Sequence, residues 1–445
     1  MSVLAYLLAV ILLSYTFGYS LLSSVKREKE MPFLAPIVGY AVSQLLFYAI
    51  FLVSKNAYIA FYGVVVFTLA SFVVSAYKHK AAWRFCLPSV ERIMPIFAVT
   101  VLFLSLIAPY LYYGIGHYWH TASEDAFDAL NGKDYLLGNI KAVQDFLTYD
   151  YIKQWKAIGN SMEQSFIYSH AAIQYSSIAF FAIFTGLQTS FDPWLIQAVA
   201  NFILMFVGIY LLSKERFGQS SRFSIIFAAV GVSSHLYFGT FISMHEGSII
   251  FGAVIPYLLY SMLGYLDTRE RFYLYLSLFF IGFVSITYPH PLIFFVVPFM
   301  MFMFVKQLKE LANLLLGKKV LLVFAIILLA ALGVWVYISV QHYIAFRESR
   351  FRSWGMSFAP QMLLIYWGLA QSYISNGQTV NSVIFSIEWL ESSLFVLAAV
   401  FTAVSVYGAI LASRIHGYFK WFILFWIVCF FGIRYVIADS YYFYK

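Results

Sequence analysis

VLAYLLAVILLSYTFGYSLL, residues 3–22, runs for twenty residues without a charge. As a helix this stretch rises about 30 Å, the depth of a bilayer's hydrocarbon core. No Lys or Arg precedes it, whereas a cleaved signal peptide carries a positive leading region. The run is therefore expected to be a retained first span. The whole chain repeats this character: 62% of its 445 residues are hydrophobic and 11% are charged. Soluble domains carry roughly 25% charged residues, so an integral membrane protein is expected.

Further apolar runs fall near 33–54, 57–77, 93–114, 193–213, 223–242, 246–264, 272–288, 290–305, 320–341, 392–412 and 421–438. Each is continuous rather than alternating, which excludes barrel strands. The expected fold class is an all-α polytopic membrane protein with about 12 transmembrane helices (12–14). The higher count applies if the ambiguous apolar stretches near 167–187 and 361–377 cross.

The net charge of +8 is spread between hydrophobic runs, not gathered into a nucleic-acid-binding arm. Loops at 24–32, 78–92, 214–222, 265–271, 306–319 and 413–420 hold 18 of the 28 Lys and Arg. The positive-inside rule puts them in the cytoplasm, and both termini and the 115–170 loop outside. On this topology 167–187 and 361–391 lie along, or dip into, the outer face. Cys86 and Cys429 allow no disulfide framework. Residues 1–92 are expected to pack as an N-terminal group, and 93–445 as a second module with an extracytoplasmic loop at 115–192.

Polar residues gather on the outer side, which is where a site would be built. In HTASEDAFDALNGKDY, residues 120–135, Glu124 and Asp128 share a helical face and Asp125 lies beside them. Crowded carboxylates raise one another's pKa, which suits a general base or a shared cation. A solvated acidic turn opening a juxtamembrane helix reads equally well. His117, His120 and Glu124 have spacing compatible with a divalent metal, although HYWH also fits an interfacial aromatic belt. No motif fixes a metal, and no nucleotide is expected.

Arg347, Arg350 and Arg352 fall within six residues of the outer face, where Arg opposes the orienting bias. Their forks suit phosphate, either a reacting one or a lipid headgroup. His245 and Glu246 occupy a short outer turn, and His290 sits between Pro289 and Pro291 at another. Each reads as a helix-end residue or a substrate contact. Arg434 lies within the last run with Asp439 as a plausible partner, and buried ionisable residues in membranes are usually functional or paired.

The order of these features resembles the GT-C superfamily of membrane glycosyltransferases. There an acidic motif follows an early span that ends outside the cytoplasm; here SEDAFDALNGKDYL follows 93–114. YSHAAIQYSSIAFFAIFTG, 168–186, and DPWLIQAVANFILMFVGIYLLSKERFG resemble later family segments, the first without the prolines the family often has. YPHPLIFFVVP and the terminal DSYYFYK are similar to segments in relatives. The resemblance covers roughly 93–445 and rests on loose motifs. It implies transfer of a sugar from a polyprenyl-phosphate donor to a glycan, lipid or protein acceptor outside a bacterial or archaeal cell membrane. The family's acidic position maps to Asp125, or failing that Glu124. Arg347, Arg350, Arg352 and Lys445 would hold the departing lipid phosphate.

Two other classes fit a polytopic chain. A polysaccharide polymerase or O-antigen-ligase-type enzyme relies on Arg and His, leaving Asp125 dispensable. A lipid-linked glycan flippase or transporter carries inverted repeats and broken helices, of which the sequence shows no matching pair.

Overall fold

The computed structural model describes residues 3–23, 30–78, 132–139, 172–186, 192–232, 246–287, 370–375 and 378–383, with scattered residues at 296–299 and 400–414. Eight helices are described: α1 (Val3–Leu22), α2 (Met31–Ser54), α3 (Ala57–Lys78), α4 (Ala172–Thr185), α5 (Asp192–Leu211), α6 (Ser221–Val232), α7 (Glu246–Thr268) and α8 (Arg271–Thr287). Three described segments are long and apolar enough to cross a membrane: Met31–Ser54, Ala57–Tyr77 and Ile196–Arg216. The protein is helical and membrane-embedded. The runs expected at 93–114, 320–341 and 421–438 lie outside the described residues, as does the boundary expected at 92.

All eight helices belong to one compact unit, Met1–Pro289, which also takes in Leu363–Tyr373 and Asn381–Gly408. The second unit, His290–Met362, Ile374–Val380 and Ala409–Lys445, has few described residues.

Small residues let α1 and α2 approach until their backbones touch. A Cβ added to Gly18 would strike the Ala35 carbonyl, and one added to Gly39 would strike the Ser14 carbonyl. Small residues four apart on both helices permit this contact, and in lipid it substitutes for the hydrophobic drive that water supplies. Helix α2 ends where Lys55 turns into the left-handed region (φ 52°). Asn56 then caps α3, its Oδ1 accepting from the Tyr58 and Ile59 amides at 2.9 and 3.1 Å. These two residues reverse the chain and fix α2 and α3 as neighbours.

Helix α3 turns Ile59, Tyr62, Val66, Leu69 and Val73 outward. Such a stripe suits hydrocarbon surroundings. Helix α5 is its opposite, almost wholly enclosed, with Ile196, Val199, Phe202, Ile203 and Phe206 buried. It ends in a π-helical turn, Leu212–Arg216. Helices α5 and α7 lock where the Tyr257 hydroxyl donates to the Leu204 carbonyl at 2.9 Å and Gly208 leaves room for the Tyr257 ring. Ser277 donates to Ser261 at 3.0 Å, joining α8 to α7.

Segments 24–32 and 214–222 and the flanks of 265–271, expected on one side of the membrane, meet at one end of this unit. Arg216 lies between the rings of Tyr260 and Tyr273, its guanidinium carbon 4.2 and 4.3 Å from their centres. Its Nε donates to the Tyr260 carbonyl at 3.1 Å. The Tyr273 hydroxyl donates to both carboxylate oxygens of Glu30, at 2.8 and 3.1 Å. Gly264 makes room for the guanidinium, since a Cβ there would collide with Arg216 Nη2.

One element departs from the all-helical expectation. Ala370–Ser375 (β1) and Gln378–Val383 (β2) pair as a two-stranded sheet. The sequence between them is Asn376–Gly377. That dipeptide accepts the positive φ angles a two-residue hairpin loop needs, and the β-branched and polar flanks favour strands over a span.

Candidate functional site

Helix α4 carries four polar-tipped residues in a row, Gln174, Tyr175, Ser176 and Ser177, and all four are buried. A helix in lipid does not bury such a run without partners. Ser176 satisfies itself on the Ile173 carbonyl at 2.8 Å. The other three reach three different neighbours.

Gln174 Nε2 donates to the Thr287 carbonyl at 3.1 Å, supplying a donor to the last residue of α8, where helical carbonyls lack one. Ser177 Oγ accepts from Gln197 Nε2 at 2.9 Å and lies 3.4 Å from the Tyr40 hydroxyl. Asn201 Nδ2 donates to that hydroxyl at 3.1 Å and to the Gln197 carbonyl at 2.9 Å. Tyr40, Gln44 and Phe47 fall on one face of α2 by spacing (i, i+4, i+7). Tyr40 meets Ser177 and Phe47 meets Phe180 edge-on at 5.7 Å, so Gln44 sits between them at the same seam. The Oε1 atoms of Gln44 and Gln197 and the Oδ1 of Asn201 are buried without a hydrogen-bond donor.

Tyr175 faces the third neighbour. A Cβ on Gly132 would press into its ring, so the stretch 132–139 lies directly on α4. Here Lys133 is 1% exposed, with its ammonium 3.2 Å from the Asp134 carboxylate. The Leu137 amide donates to the Lys133 carbonyl at 3.0 Å, and Gly138, at φ 81°, lets Asn139 turn back to the Asp134 carbonyl at 2.8 Å. Asn139 Nδ2 also reaches Asp134 Oδ1 at 3.4 Å. The end of the acid-rich loop is thus anchored on the helix bundle. The ammonium is removed from solvent and held against a neighbouring carboxylate, as a buried charge requires.

Of the residues singled out in the sequence, Asp125, Glu124, Arg347, Arg350, Arg352, Lys445, His290, His245 and Arg434 lie outside the described residues. Glu246 begins α7, and its side chain is likewise outside them. Among the described residues no group of three or more His, Cys, Asp or Glu forms a metal site. Sequence reasoning passed over Lys133, Asp134, Gln174, Ser177, Gln197, Asn201 and Tyr40. The signal was present: amides and hydroxyls inside apolar runs, and QYSS in the stretch 167–187. No protein-family model matches the chain, and no curated protein or solved structure matches it either.

Proposed function

We infer that the chain is a membrane glycosyltransferase that moves a sugar from a polyprenyl-phosphate donor to an acceptor outside the cytoplasm. The observation that supports this reading is the burial of Lys133, paired with Asp134, five residues beyond Asp128. A solvated acidic turn has no need of a lysine anchored on the bundle beneath it. A reactive loop does, because its charged groups must be held in place.

In this reading Asp125, or failing that Glu124, takes the proton of the acceptor hydroxyl. The oxygen attacks the anomeric carbon, the bond from that carbon to the phosphate oxygen breaks, and the lipid phosphate departs. Arg347, Arg350 and Arg352, with Lys445, hold the phosphate and stabilise its charge. A lipid donor also accounts for a chain without a nucleotide-binding motif.

The test uses purified protein in detergent and a panel of radiolabelled polyprenyl-phosphate sugars. Label release by the native chain is expected with at least one donor, falling by about 10²–10⁴ in Asp125→Asn. Turnover unchanged in that variant moves the base to Glu124. Lipid binding without turnover of any donor sinks the enzyme reading and leaves a flippase or ligase.

A further inference from the structure

We propose that the seam between α2, α4 and α5 binds a monovalent alkali cation, through the amide oxygens of Gln44, Gln197 and Asn201 and the hydroxyl oxygens of Tyr40 and Ser177.

The argument begins with the direction of the hydrogen bonds. Both N–H groups of Asn201 are used, one on the Tyr40 hydroxyl and one on the Gln197 carbonyl. The second bond fixes the amide's orientation, because a backbone carbonyl only accepts. Gln197 spends an N–H on Ser177. The donors point into the network, so its acceptors are left over: Gln44 Oε1, Gln197 Oε1 and Asn201 Oδ1. All three residues are buried, at 2% exposure or less.

Gln197 and Asn201 are four residues apart and share a face of α5, and both reach the Tyr40–Ser177 pair. Gln44 projects from α2 between the residues that meet Ser177 and Phe180. The leftover oxygens therefore belong to one locus.

Three acceptors without donors are costly in a low-dielectric interior. What completes them must offer positive charge or several donors and no acceptor. One water supplies two O–H groups for three oxygens and adds lone pairs of its own. A small cation serves all three, and can also take lone pairs of the two hydroxyls. The donor set is hard oxygen throughout, which selects alkali and alkaline-earth ions over soft metals. It is also uncharged, so it cannot offset the dehydration of a divalent ion, which is normally met by carboxylates. Rings of neutral carbonyls hold alkali ions in the same way inside channels.

The full-length protein in detergent is titrated with NaCl against choline chloride at constant ionic strength, following thermal unfolding and ²²Na⁺ binding. A saturable rise in Tm of about 2–4 °C with Na⁺ is expected. Gln44→Leu and Asn201→Leu should each weaken Na⁺ binding by about tenfold or more. Gln44 Oε1 has no donor to lose, so Gln44→Leu keeps the fold and the comparison. Equal Tm in Na⁺ and choline without ²²Na⁺ binding, or native-like Na⁺ affinity in both variants, overturns the proposal and leaves the seam as an interhelical joint.

Discussion

Two polar regions of the same helix unit are built on opposite logic. At one end Arg216 is enclosed by the faces of Tyr260 and Tyr273, and Tyr273 is tied to Glu30. A charge is surrounded by groups that need it, and four segments distant in sequence are drawn together. At the α2–α4–α5 seam no charge takes part in the bonds among Tyr40, Ser177, Gln197 and Asn201, and acceptor oxygens are left over. The first region is closed on itself and reads as a fastener. The second is chemically incomplete and reads as a place where something docks.

That contrast is best attacked from the fastener. Arg216→Ala should cost about 3 kcal/mol, because two desolvated cation–π contacts and a hydrogen bond disappear together. Equilibrium unfolding in mixed micelles measures it, and a loss below about 1 kcal/mol would reduce the region to a surface contact. Tyr273→Phe comes next, with a cost of about 1.5–3 kcal/mol, since it removes a bond to a carboxylate while keeping the ring over Arg216. The same unfolding assay reads it, and Glu30→Gln combined with Tyr273→Phe should then add little. Asn201→Leu should have the smallest effect, within about 1 kcal/mol, because it removes an orphaned oxygen as well as two donors. A loss as large as that of Arg216→Ala would erase the distinction between the two regions.

The long apolar runs were legible because their physics is local. Residues 3–22, 33–54 and 57–77 reappear as α1, α2 and α3 to within two residues, since twenty uncharged residues in series leave a helix few alternatives. The turn at Lys55 and Asn56 could also be read, as a left-handed residue followed by an Asn cap. The hairpin was equally local, and its Asn376–Gly377 signal was outweighed by the apolar context of 361–377.

The seam was not legible, for a different reason. Tyr40, Ser177, Gln197 and Asn201 each look like a tolerated polar residue in a span, and only packing brings them together across gaps of up to 161 residues. Lys133 illustrates the same limit. In the sequence it is one basic residue among several expected outside, and its burial follows from Gly132 leaving room for Tyr175. Of the site read from the sequence, Asp125, Glu124 and the three arginines remain assignments by residue type and by resemblance.

The π-helical turn at Leu212–Arg216 bears on how this end of the molecule tolerates change in chain length. Such a turn is an α-helix with one residue too many, and the surplus sets the rotational phase of everything after it. Deleting a single residue there would restore an ordinary helix and swing Arg216 by about 100° around the axis. The guanidinium would leave its two rings, and Glu30 would lose its indirect link to α5. The extra residue works like a shim in a gear train: it adds no contact of its own, yet it decides which teeth meet.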